Sequence, residues 1–309
     1  MTDVEPRHGL AADQGPAIVC RGLTKDYGGG RGLFDLDLEV GRGEILGFIG
    51  PNGAGKTTTI RLLMDLIRPT RGHATVLGLD AHRDSLAIKR RVGYLPGELA
   101  EFPGARVRHV LALLAGLRGG VDPARIAALA DRLQLELGRK YSDLSHGNKQ
   151  KVGLVQAFMH RPELLILDEP TLGLDPLVQR EFWLLVREAA ADGASVLLSS
   201  HVLAEVENGC DRIALIRAGR LVRAGSLSEL RDLRTHHVDA VLTTPVAVGE
   251  LVLVPGVSEA DVTGERVSCS VQGPVGPLVD LLAEHDVVEL DSRELSLEEV
   301  FLREFDSTS

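Results

Sequence analysis

Two periods of apolar residues run along this chain. Residues 34–40 alternate apolar and polar, which reads as a half-buried strand, and 17–23 reads as a strand before it. Residues 44–49 are mostly apolar and read as a buried strand. Ile60, Leu63, Met64 and Ile67 then recur at helical spacing. Short strands are predicted at 73–77 and 92–95, with a helix over 85–91 between them. From about residue 99 to 160 strand-like runs vanish. Helices are predicted there over 107–117, over 124–135 behind the N-cap and first-turn proline Asp122-Pro123, and from Ser145 through Phe158. Strands return at 164–167, 195–199, 213–217 and 221–224. Between them lie a helix from Asp175-Pro176 to Ala190, stopped by Gly193, and another over 202–208. A short helix is expected from Ser226.

Alternation of this kind predicts an α/β domain whose sheet has many parallel strands covered by helices, with a helical insert at about 99–160. Near residue 235 the pattern breaks. Residues 238–243, 267–271 and 287–290 are strand-like, 278–284 is helical, and Ser296-Leu297-Glu298-Glu299 is a capping box opening a last helix. The expected organisation is a polar, disordered arm over 1–16, an α/β domain over 17–234 and a small α+β domain over 235–309.

The loop between the 44–49 strand and the next helix carries the first chemistry. Gly50-Pro51-Asn52-Gly53-Ala54-Gly55-Lys56-Thr57-Thr58 fits G-x-x-x-x-G-K-[ST] in the strand–loop–helix setting that the motif requires. Glycines let backbone N–H groups approach phosphate oxygens, and the helix start adds unsatisfied N–H groups and a positive dipole end. Lys56 suits the β- and γ-phosphates, and the Thr57 hydroxyl suits Mg²⁺. A second apolar strand ends in Asp168-Glu169. Taken alone these acids would be the solvated top of a strand. With a phosphate loop before them, Asp168 reads as the Mg²⁺ holder and Glu169 as the base that orients or deprotonates the attacking water. Lys149 and Lys151 read as a solvated face.

Composition removes some classes. The net charge of −10 gives a nucleic-acid partner no electrostatic support. Three scattered cysteines show neither metal spacing nor a disulfide framework, which fits a reducing compartment. No apolar run approaches the ~20 residues of a membrane span, and the first residues lack a signal-peptide pattern.

Over residues 17–230 the order of elements resembles the ATP-binding subunits of ABC transporters. Tyr27 stands where these proteins carry an aromatic that stacks on adenine. Leu144-Ser145-His146-Gly147-Asn148-Lys149-Gln150 resembles their signature loop, with His146 and Asn148 replacing a glycine and a glutamine. Gly173-Leu174-Asp175 resembles their dimer-contact loop, and His201 their switch histidine, which touches the γ-phosphate. Their Mg²⁺-contacting glutamine falls at Gly97, which leaves Glu98 as the candidate ligand there. The strings at 93–98 and 145–152 and the ending Leu297-Glu298-Glu299-Val300-Phe301 look like ABC-2 type exporters, including multidrug and antibiotic-resistance subunits.

The resemblance implies a P-loop ABC ATPase fold with a mostly parallel core sheet and antiparallel N-terminal strands. It also implies ATP and Mg²⁺ as ligands and a head-to-tail homodimer in which Ser145 and Gly147 of one copy complete the ATP site of the other. Hydrolysis to ADP and phosphate would drive export through an ABC-2 type membrane permease, at the cytoplasmic face of the membrane. A soluble ABC-type ATPase acting on ribosomes or DNA is the second reading. It is disfavoured by the single phosphate loop and the absence of a heptad run or basic stripe. A GTP switch lacks an NKxD motif.

Overall fold

The computed structural model describes residues 15–294, apart from 203–205, 207–208, 227–228 and 230–234. The predicted arm over 1–16, the helices over 202–208 and from Ser226, and the final capping-box helix lie wholly or largely outside the described residues. The chain divides into two compact units between Ala224 and Gly225, earlier than the expected 235. The division falls within β10 (Arg220–Ser226), an outer strand of the large sheet.

The first unit begins with β1 (Ile18–Asp26) and β2 (Gly32–Val40), an antiparallel pair. In β2, Leu36, Leu38 and Val40 are buried as the alternation predicts. Asp35, at φ 51°, breaks the alternation, so Leu33 is buried as well. Next come β3 (Ile45–Ile49), α1 (Lys56–Leu63), β4 (Arg71–Val76) and the two-residue β5 (Leu79–Asp80). Then follow α2 (Ser85–Arg91), β6 (Val92–Leu95), α3 (Val107–Leu117), α4 (Pro123–Arg132) and α5 (His146–Phe158). The unit closes with β7 (Leu164–Asp168), α6 (Pro176–Ala191), β8 (Ser195–Ser200), β9 (Arg212–Arg217) and β10.

One sheet of the unit has the order β2-β1-β4-β5 and is antiparallel; the other has the order β10-β9-β3-β8-β7-β6, with β9, β3, β8, β7 and β6 parallel. Every residue of β3, β7 and β8 is buried. That explains why these strands read as continuous apolar runs, since parallel strands are covered on both faces. One core joins the two sheets around α1, with Ile18, Leu36 and Val76 on one side and Phe48, Ile166 and Leu197 on the other, packed on Ile60 and Leu63.

The insert is helical as expected. Its last helix, α5, packs tightly on β6: a Cβ on Gly153 would stand 2.4 Å from a Leu95 methyl. Beyond the end of α3, Arg118 donates to the Lys89 and Val92 carbonyls and meets His160 Nε2 at 2.9 Å. Burial, and then the Arg118 charge, push the His160 imidazole down to about 4. The unfolded chain, with an imidazole near 6.5, therefore binds the proton first as pH falls. His160 contributes stability that is complete above about pH 6.5 and is lost as the pH drops toward 4. Urea unfolding is expected to show a less stable protein at about pH 5 than at about pH 7. In His160→Gln the gap should narrow.

The second unit contains β11 (Thr235–Leu242), α7 (Val248–Leu253), β12 (Val257–Thr263), β13 (Arg266–Gln272), α8 (Gly276–Ala283) and β14 (Val287–Glu294). Its antiparallel sheet has the order β12-β13-β11-β14. Val238, Ala240, Leu242, Val267, Cys269 and Val271 form a core with Leu251, Leu278 and Leu282 of the helices.

Candidate functional site

Three parallel strands end side by side. Ile49 at the end of β3 lies opposite Ser200 of β8, and Ser199 lies opposite Asp168 of β7. The phosphate loop, His201 and Glu169 therefore leave the sheet together, at the carboxyl ends where open α/β sheets bind ligands.

The loop conformation follows from its glycines. A Cβ at Gly50 would stand 2.2 Å from the Ile216 carbonyl oxygen. Gly55 adopts φ 113° at the start of α1, where no side chain caps the helix, so the first-turn N–H groups face an incoming anion. Pro51, Asn52 and Gly53 are exposed, Ala54 and Gly55 are buried, and Thr58 is half-buried. Lys56 is only 5% exposed. Its Nζ donates to the carbonyls of Gly50 at 2.5 Å and Pro51 at 3.3 Å, and lies 3.2 Å from Glu169 Oε1.

The acid pair joins this cluster. Thr57 Oγ1 donates to Asp168 Oδ2 at 2.8 Å. Ser199 Oγ donates to Asp168 Oδ1 at 2.5 Å and accepts the Glu169 N–H at 3.0 Å. His201 Nδ1 lies 2.8 Å from Glu169 Oε2, so the Glu169 carboxylate sits between Lys56 and His201. Asp168 is 1% exposed, and among the described residues no Lys, Arg or His side chain pairs with it. A buried carboxylate held only by hydroxyls, beside a second hard oxygen on Thr57, fits a divalent cation.

The other expected residues are placed differently. Tyr27 is 50% exposed, with Lys25 Nζ 5.5 Å from its ring centre. Ser145 caps α5, accepting from the Asn148 backbone N–H at 3.3 Å and from its side-chain amide at 3.0 Å. Gly147 packs on Gly173 of its own chain, where a Cβ would stand 2.1 Å from the Gly173 carbonyl oxygen. Its small size thus already has a use within one copy. Glu98 is not brought to Thr57 and Asp168. Its side chain is 91% exposed and pairs with Arg61 at 3.7 Å. A side chain at position 97 would instead meet Asp168, with its Cβ 3.0 Å from Oδ2. Of the two neighbouring positions, the glycine faces the acid and Glu98 faces solvent and Arg61.

Lys149 and Lys151 are not a solvated face. Lys149 pairs with Glu101 at 2.6 Å, and Lys151, 8% exposed, reaches Asp175 Oδ2 at 3.8 Å. Two residues of the site escaped the sequence reading. Ser199 holds both acids, and Gln150, 2% exposed, donates from Nε2 to the Glu169 carbonyl at 3.0 Å. Their signal was a polar residue where the pattern demands an apolar one: a serine in a buried strand and a glutamine on the inner face of a helix.

A phosphate loop bonded to a strand-end acid pair, on a mostly parallel sheet, defines the fold and site as those of a P-loop nucleoside triphosphatase. A family profile described as ABC transporter matches residues 33–172. The daunorubicin resistance ATP-binding protein DrrA3 of Streptomyces coeruleorubidus is 35% identical over 301 residues, covering 93% of this chain and 95% of that protein. The probable multidrug ABC transporter ATP-binding protein YbhF of Escherichia coli is 34% identical over 230 residues, covering 72% of this chain but only 40% of its own length. A solved structure of an ATP-binding subunit of an ABC transporter superposes with a TM-score of 0.64 at 33% identity, covering 70% of this chain and 92% of that one. The chain belongs to the family of ABC transporter ATP-binding proteins, whose cassettes are ATPases.

Proposed function

We propose that this chain is the ATP-hydrolysing subunit of an ABC-2 type exporter, working as a pair of identical copies beneath a membrane permease. The observation that carries the reading is the Glu169 carboxylate held between Lys56 and His201, next to the buried Asp168–Thr57 pair. Lys56 exchanges its contacts with the Gly50 and Pro51 carbonyls and Glu169 for the phosphates of ATP. Glu169, released from Lys56, accepts a proton from the water whose oxygen attacks the γ-phosphorus as the bond to ADP breaks. His201 Nδ1 orients that carboxylate, and the ring reaches the γ-phosphate. Tyr27 stacks on adenine. Thr57 and Asp168 would hold Mg²⁺, which supplies positive charge to the phosphate oxygens.

Among the described residues, no hydrogen bond joins Ser145 to the phosphate loop of its own chain. That supports a head-to-tail pair in which Ser145 and Gly147 close the ATP site of the other copy. The relatives named for daunorubicin resistance and multidrug transport favour a drug or antibiotic as cargo. Among the described residues no helix is long and apolar enough to cross a membrane, so the path would lie in the permease and this chain at its cytoplasmic face. Sedimentation of the full chain, alone and with its permease co-expressed, tests the pair. Its mass is expected to double with a non-hydrolysable ATP analogue and Mg²⁺ but not with ADP. A monomer under both conditions overturns the clamp.

A further inference from the structure

Helix α5 presents Gly147, Gln150 and Lys151 on one face, at the i, i+3 and i+4 spacing of helical neighbours. All three meet the segment that follows β7. Gly147 packs on Gly173, Gln150 donates to the Glu169 carbonyl at 3.0 Å, and Lys151 reaches Asp175 at 3.8 Å. Glu169 needs such support, because its φ of 49° is a left-handed conformation that side-chain-bearing residues rarely hold. Its carbonyl accepts one further bond, from the Leu172 N–H at 3.2 Å. Nothing in phosphate binding uses Gln150, yet its amide is buried and aimed at the main chain of the base.

We propose that Gln150 is a positioning residue for Glu169, through which helix α5 sets the geometry of the general base. The proposal rests on the reading of Glu169 given above. Its consequence is communication between sites. In a head-to-tail pair, the Ser145 end of α5 meets the partner's nucleotide while its inner face holds this chain's own base. Engagement of one ATP would then condition hydrolysis of the other.

Two substitutions in the full chain test it. Gln150→Met keeps the length of the side chain and removes the donor. Gln150→Glu keeps the shape and donates only while its carboxyl group is protonated. Gln150→Met is expected to lower kcat for ATP by about 10- to 100-fold with KM changed less than about twofold, because misplacing a reacting group costs turnover rather than binding. Gln150→Glu is expected to regain turnover relative to wild type as the pH is lowered, which a merely structural role would not produce. Wild-type kcat in Gln150→Met, or a Gln150→Glu pH profile parallel to that of wild type, overturns the proposal; the second decides if Gln150→Met fails to fold. A wild-type chain that hydrolyses no ATP would sink the reading of Glu169 instead. Amide exchange of residues 169–173 then still reads the bond: faster exchange in either folded variant supports it, and unchanged exchange refutes it.

Discussion

Replacing Glu169 with glutamine is expected to slow ATP turnover by roughly 10²–10⁴-fold, the usual contribution of a general base, while ATP still binds. Glutamine has the same shape, so its amide still fills the space between Lys56 and His201. It cannot take a proton from water at neutral pH. It also carries no charge to hold Lys56, whose Nζ lies 3.2 Å from Glu169 Oε1. Freed of that pair, Lys56 is more available to phosphate, so affinity for ATP should hold or rise while the chemical step fails. Single-turnover phosphate release, measured beside equilibrium binding of a fluorescent ATP analogue, separates the two steps. Release at the wild-type rate removes Glu169 as the base. Slow release accompanied by lost binding points to a collapsed site.

Local chemistry made much of this site legible in the sequence. The phosphate loop needs its residues at fixed spacing, so eight consecutive positions, Gly50 to Thr57, announce it, and Asp168-Glu169 end an otherwise apolar strand. Helix α3 has the bounds that its apolar spacing predicts, and Asp122, Ser145 and Asp175 cap the helices they were expected to open. Side-chain partners across the fold were not legible. Lys151 looks solvated in sequence because nothing local shows that Asp175 folds against it. Gln150 and Ser199 matter through a main-chain carbonyl and a strand neighbour, and only the register β7–β8 brings the latter into place. The exposed position of Glu98, paired with Arg61, was not legible for the same reason, since facing direction in an irregular segment is set by the structure around it. In the second unit, α7 spans only six residues, too few to show a helical period, and edge strand β12 is mostly exposed and carries Glu259 at φ 51°, so neither shows a pattern.

Lys56→Ala is expected to weaken ATP binding by about 10²–10⁴-fold, the worth of two charge-assisted hydrogen bonds at about 1.5–3 kcal/mol each. The electrostatics of the site explain so large a loss. Asp168 and Glu169 bring two carboxylates to the phosphate loop, and Lys56 is the buried cation among them. Without it a polyphosphate would meet two acids and a helix end, in a chain whose net charge is already −10. Arginine should not restore binding. The ammonium group fits a narrow place, donating at once to the Gly50 and Pro51 carbonyls, and a planar guanidinium cannot occupy the same point. Thermal unfolding with and without ATP reads the effect without enzyme assays, because a ligand that binds only the folded state stabilises it by RT ln(1 + [L]/Kd). ATP should raise the melting temperature of the wild-type chain and leave those of Lys56→Ala and Lys56→Arg unmoved. An equal rise in all three would show that the triphosphate is held elsewhere, and that Lys56 serves the loop's own carbonyls and Glu169 alone.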